Sequence, residues 1–209
     1  RSWCTSTRRC SAILINGAVD VNAPDVPNFN EGWGRINLTT SLASPVGALY
    51  TDQTTILGAT GDAAAFTTSG VVQDPSRPVT VTLVCTDPAG AVSCNPCLVN
   101  DLDLLLTQGA TTWRGNNFTA GFSNTNATAD TLNNVEEVKI APGAVTCTPI
   151  QLKVRAQTLN GDGVPGNADA TDQDFALVAS NLGATGQPFI DVGSSAVSGG
   201  CDADGFLDR

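Results

Sequence analysis

The sequence predicts a mainly β protein, an antiparallel two-sheet β-sandwich of the jelly-roll kind with a short helical segment on its N-terminal side. Three observations predict it. Short β-branched runs recur between turn clusters from residue 50 onward, two of them alternate along their length, and no convincing helical period separates them.

The expected strands lie at 64–69, 79–86, 98–107, 111–114, 135–141, 150–158 and 173–181. Val79-Thr80-Val81-Thr82-Leu83-Val84 alternates branched apolar residues with threonine, and Ile150-Gln151-Leu152-Lys153-Val154-Arg155 alternates apolar with polar. A strand places successive side chains on opposite faces, so each run is expected to bury one face. Ahead of the strands, residues 11–18 (SAILINGA) read as a short apolar helix with Gly17 near its C-cap, and Pro24 and Pro27 then break the chain. Residues 31–42 (EGWGRINLTTSL) place two glycines around Trp33, where backbone approaches something closely, before a brief strand or helix.

Composition narrows the function. With 209 residues and 41% apolar content the chain can bury a full core. A formal charge of −10, with only 10 basic residues, excludes a nucleic-acid surface and suits solubility or divalent cations. No apolar run approaches the ~20 residues needed to cross a bilayer, so no membrane partner is expected. The seven cysteines (4, 10, 85, 94, 97, 147 and 201) and the turn-rich composition point to an oxidising, secreted setting. Cys94 and Cys97 have zinc-knuckle spacing, but a second such pair is absent, and a disulfide framework is expected instead. Cys94 and Cys97 can pair with each other, with Cys147 or with Cys85, and spacing does not choose among these. The chain holds no histidine, so neither a Ser-His-Asp nor a Cys-His arrangement can be assembled from it. Paired carboxylates could act on glycosides, yet nothing singles out a pair.

The acidic residues most able to act together are Asp101 and Asp103. They alternate with Leu102 and Leu104, so in a strand both carboxylates share one face while the leucines enter the core. Adjacent carboxylates need a counter-charge. A calcium ion supplies it and takes six to eight oxygen ligands, which Asp87, Asn116, Asp130, Asn133 or Glu136 could complete from neighbouring turns. Residues 160–169 (NGDGVPGNAD) could be a second calcium loop but read better as a plain excursion, and Asp202, Asp204, Gly205 and Asp208 form part of an EF-hand-like loop without its terminal Glu. Trp113 and Phe118 could form a platform for a ligand, although a strand-end Trp is more often core. Asn37, Asn117 and Asn126 each begin a glycosylation acceptor triplet.

Seven runs in order carry a family resemblance: 13–20 (ILINGAVD), 30–38 (NEGWGRINL), 79–90 (VTVTLVCTDPAG), 98–104 (LVNDLDL), 115–118 (GNNF), 133–136 (NNVE) and 172–178 (DQDFALV). They resemble subtilisin-like serine proteases, subtilases, that carry a β-sandwich after the catalytic domain, distantly like the P-domain of proprotein convertases. The resemblance implies that 11–45 is the end of a catalytic domain, that 50–182 is the appended P-domain-like sandwich with calcium, and that 183–209 is a linker and the start of a further segment. Residues 1–10 match nothing expected there and read as an atypical leader such as a cloning junction leaves. Cys85 stands where relatives usually have Trp. The family's catalytic Asp, His and Ser segments would all lie upstream of Arg1, so the chain is expected to be inert alone. It would serve a secreted endopeptidase as an accessory domain, partnered by that catalytic domain and by protein substrate. The alternative is a free-standing calcium-dependent adhesive module for carbohydrate or protein.

Overall fold

A computed structural model describes residues 6–21, 25–42, 48–146, 148–184 and 190–191. Cys4, Cys147, Cys201 and the partial EF-hand-like run at 202–208 lie outside the described residues. Two helices, α1 (Thr7–Asn16) and α2 (Leu38–Leu42), precede eleven strands. These are β1 (Ala48–Leu57), β2 (Ala63–Val72), β3 (Val79–Val84), β4 (Asn100–Gln108), β5 (Thr111–Thr119), β6 (Phe122–Thr125), β7 (Val135–Ile140), β8 (Gln151–Leu159), β9 (Gln173–Ser180), β10 (Leu182–Ala184) and β11 (Ile190–Asp191). They form two antiparallel sheets, ordered β11-β1-β9-β3-β7 and β10-β2-β8-β4-β5-β6. The fold is the expected β-sandwich with a short helix.

The core lies between the sheets. Leu102, Leu104 and Leu106 of β4 sit beside Leu152, Val154 and Ala156 of β8, and face Val81, Leu83, Val138, Phe175 and Leu177 of the other sheet. Phe66 meets Phe175 edge-on with ring centroids 6.4 Å apart. β8 shows the expected alternation, with Leu152, Val154 and Ala156 buried and Gln151, Lys153 and Arg155 exposed.

β3 departs from its expected one-sided burial: all six of its residues are buried. The cause is α1, which lies across the outer face of β3 and β9 and packs Ala12 and Ile13 onto Val84, Ala176 and Val178. At the end of the helix the Asn16 side chain donates to Thr80 O at 3.1 Å, the Thr82 hydroxyl at 3.0 Å and Val178 O at 3.3 Å. Outward threonines thus become helix-docking groups.

The helix also starts four residues earlier than expected, crossing the boundary placed at residue 10. Ser6 caps it, accepting from Arg9 N at 3.1 Å. Arg8 reaches across to Asp174, with Nη2 donating to Oδ2 at 2.6 Å and Nη1 lying 2.6 Å from Oδ1 as an ion-pair contact rather than a second aligned hydrogen bond. The Arg9 guanidinium stacks 3.7 Å from the Tyr50 ring centroid. Gly17 takes the C-cap as expected; a Cβ there would meet the Ser41 backbone at 2.6 Å, so α2 can cross the helix end only over a glycine.

Four strands lie outside the expected set. In β1 the pairing with β9 is broken by a bulge between Asp52 and Ile56, where Gln53 takes φ 54°, and this irregularity hides the alternation. β6 is a four-residue return strand beside β5, and β10 is a three-residue strand against β2. β11 pairs with β1 within the stretch expected to be linker.

Candidate cation site

The two sheets come together along one edge, where β7 of the first meets β5 and β6 of the second. Side chains lace this edge. Asn116 of β5, at φ 60°, donates to Val135 O at 2.8 Å, and its Oδ1 accepts from Glu137 N at 3.0 Å. Farther along, the Ser123 hydroxyl accepts from Lys139 N at 2.9 Å.

β4 and β5 pair from Leu105↔Arg114 to Gln108↔Thr111, and the N-terminal half of β4 has no such partner. Glu136 of β7 enters there, its Oε2 accepting from Leu104 N at 2.6 Å. Gly115 makes the room: a Cβ on it would meet the Cβ of Glu136 at 2.6 Å and the carboxylate closer still.

Asp101 and Asp103 fall on one face of β4 as expected, with Leu102 and Leu104 in the core. Asp101, Asp103 and Glu136 are 6%, 2% and 1% exposed, and Asp101 Oδ1, Asp103 Oδ1 and Glu136 Oε1 are buried with no hydrogen-bond partner. Asp130 stands nearby on the loop before β7. Its Oδ2 accepts from Asn116 at 2.5 Å and Asn133 at 2.7 Å, and its Oδ1 from Leu132 N at 2.9 Å.

Burial pushes Glu136 up to about 9 against the opposing Leu104 N–H bond, and the charges of Asp103, Asp130 and Asp101 add to the rise. Asp101 rises to about 6, from burial first and then from Asp103 and Asp130. Burial also raises Asp103, while Arg114 and Arg155 pull it back and Asp130 adds to the rise. On the far side of β7, burial lifts Glu137 to about 7 although the Thr82 hydroxyl donates to it at 2.8 Å. The sheet edge thus concentrates buried carboxylate oxygens, with the positive charge of Arg114 and Arg155 acting on Asp103 among them.

Asp87 serves elsewhere. Its two oxygens accept from Asn100 N at 2.7 Å and Val99 N at 2.9 Å, holding the loop that leads into β4. The oxygens of Asp101, Asp103 and Glu136 are also less tightly gathered than those of Asp20, Asp25 and Glu31. Those last three lie within 4.8 Å of one another and form the one such acidic set among the described residues. They are partly or fully exposed, on the loop before Trp33, and Asn28 bonds both Asp25 Oδ1 at 3.0 Å and Glu31 Oε1 at 3.1 Å.

The loop after β8 is a plain excursion. It is closed by buried Asp172, whose carboxylate accepts from Gly163 N at 3.1 Å, Val164 N at 3.0 Å and Asn167 Nδ2 at 2.5 Å. Trp113 belongs to the core and offers no platform. Cys94 and Cys97 form a disulfide with each other, which excludes a zinc knuckle at that pair, and Cys10 is also disulfide-bonded. Cys85 is a buried free thiol that burial raises to about 12. No helix among the described residues is long and apolar enough to cross a membrane. No protein-family model matches the chain, and no curated protein matches it.

Proposed function

We propose that this chain is the non-catalytic C-terminal part of a secreted subtilisin-like serine endopeptidase, in which a calcium-holding sandwich stabilises the protease and helps to hold protein substrate. The observation that carries the calcium reading is the set of three buried carboxylate oxygens without partners around Glu136. Buried charge of one sign is expensive unless it is paired. The donors are all oxygen, which suits a hard divalent cation. Asp101, Asp103, Asp130 and Glu136 would hold the ion, with Asn116 and Asn133 orienting Asp130. Bound there, it would neutralise the pocket and tie β4 of one sheet to β7 of the other.

The protease reading rests on the seven ordered runs and is supported by the segment before the sandwich. α2 buries no residue, and Val21, Phe29, Ile36 and Leu38 are all exposed apolar side chains on that segment. Exposed apolar groups along one segment suit a surface that meets protein, as the end of a catalytic domain would. The disulfide between Cys94 and Cys97 suits secretion. Without histidine, hydrolysis would fall to the upstream domain.

Two measurements test the reading. A chelator should lower the melting temperature, because an ion bound only by the folded state stabilises it; an unchanged melting curve removes the calcium. The gene should encode Asp, His and Ser segments upstream in the same frame, and an unrelated upstream frame removes the protease.

A further inference from the structure

Beside Asn116 lie two cavities that share Pro27 and Asn116 as a common wall, between residues 25–33 and the outer end of the β5–β6 hairpin with the loop that follows. One, of about 380 Å³, is lined by Trp33, Asn117, Asp130 and Asn133; the other, of about 280 Å³, by Asp25 and Phe118. The sequence offers Trp113 with Phe118 as an aromatic platform. The fold sends Trp113 into the core and brings Trp33, from 85 positions before Phe118, to the same cleft.

The chemistry of this cleft is one-sided. No Lys or Arg lines either cavity. Asn116 commits its amide hydrogens to Asp130 and Val135 O, Asn117 donates to Gly115 O at 2.6 Å and Thr128 O at 2.9 Å, and Asn133 donates to Asp130. What remains for a ligand is the exposed Asp25 carboxylate, amide oxygens, and an aromatic ring in each cavity. Acidic ligands are repelled. A neutral saccharide would find acceptors but few side-chain donors. A flat or compact cation meets every feature, since aromatic faces attract cations and carboxylates pair with them, and a chain of net charge −10 steers basic partners towards it.

We propose that this cleft binds an arginine or lysine side chain of a peptide or protein ligand, seated at the shared wall between Trp33 and Phe118 and paired with Asp25. The proposal stands whether or not a catalytic domain lies upstream.

The test uses the whole chain with a chelator and then with calcium titrated in, and an acetylated and amidated Gly-Gly-Arg-Gly-Gly peptide with its citrulline twin, which keeps the shape and loses the charge. The arginine peptide should bind about tenfold more tightly than the citrulline peptide, the equivalent of ~1.4 kcal/mol, and more weakly as salt rises. Trp33→Ala and Asp25→Asn should each weaken it, whereas Asp169→Asn, which removes an exposed carboxylate from the loop after β8, should not. Asp25 is exposed, so its variant tests the cleft even if Trp33→Ala disturbs the fold. Equal binding of the two peptides overturns the proposal. So does equal weakening by Asp169→Asn, which would mean diffuse attraction to a negative surface. Displacement of the peptide by calcium would reassign the cleft to the metal, and binding of neutral oligosaccharides such as maltohexaose or chitohexaose without the arginine peptide would reassign it to sugars.

Discussion

Glu136 of β7 occupies the place that a side chain on Gly115 of β5 would take, with only 2.6 Å between the Cβ of one and the site of a Cβ on the other. Gly115→Ala should therefore push Glu136 off the Leu104 amide and out of the gap between β4 and β5. Overpacking of this kind costs about 1–3 kcal/mol, readable as a lower denaturation midpoint. Any calcium-induced stabilisation should vanish with it. A variant as stable and as calcium-responsive as the parent would show that the gap is not what holds the carboxylate.

The raised acids set a pH dependence with a definite sign. When a folded-state value lies above the ordinary one, the folded protein keeps protons that the unfolded chain has released, so stability falls as pH rises between the two values. That window runs from 4.5 to about 9 for Glu136, from 4.5 to about 7 for Glu137 and from 3.8 to about 6 for Asp101. The calcium-free protein should lose melting temperature steadily across this range. Calcium held as proposed would take the ionised carboxylates, so in its presence the slope due to Asp101 and Glu136 should flatten while that due to Glu137 remains. Thermal melts at stepped pH, with and without chelator, check this; a calcium-free curve that rises from pH 5 to pH 9 contradicts it.

What was readable beforehand follows from the range of each signal. Asp101 and Asp103 share a face because a strand repeats every two residues, which four adjacent letters reveal. Glu136 and Asn116 belong to strands of different sheets, and which edges of a sandwich meet is a matter of topology that local periodicity does not carry. A glycine within the β5 pattern was the available sign of a close approach. β3 was half readable: its apolar residues were visible, but Thr80 and Thr82 look solvent-facing until α1 covers them and Asn16 bonds to both. β1 was hidden by its bulge at Asp52 to Ile56. Asp87 shows the limit from the other side, since an aspartate near a carboxylate pair in sequence was drawn off to hold two loop amides.

Arg8 provides a separate test of how far the fold extends towards the N-terminus. Its guanidinium is the partner of Asp174, whose side chain is 5% exposed. Burial raises the Asp174 carboxyl and Arg8 opposes that rise. Removing one member of a partly buried pair strands the other charge, so Arg8→Ala should cost about 1–3 kcal/mol near neutral pH. The loss should shrink in acid, where the carboxyl takes up a proton, and Arg8→Ala with Asp174→Asn should recover most of it. If Arg8→Ala is neutral in denaturant titrations, the turn at residues 7–10 is an ornament on the sandwich rather than part of it.

Glu136→Gln separates a cation site from a merely buried acid. The amide oxygen can still accept from Leu104 N, and its hydrogens give Asp101 or Asp103 a donor they now lack. The variant removes the need to protonate the most deeply buried acid on folding, so calcium-free stability at neutral pH should rise, by about 1–3 kcal/mol on the scale of an unsatisfied buried group. Its calcium-induced gain should fall to near zero, because a hard cation loses its central anionic ligand. The opposing signs are the diagnostic, since a simple packing defect lowers stability in both conditions. Calorimetric melts of the parent and variant, each with chelator and with excess calcium, give the four values required. A parent that gains nothing from calcium while the variant gains stability without it would mean that Glu136 stays protonated and that the pocket holds no ion.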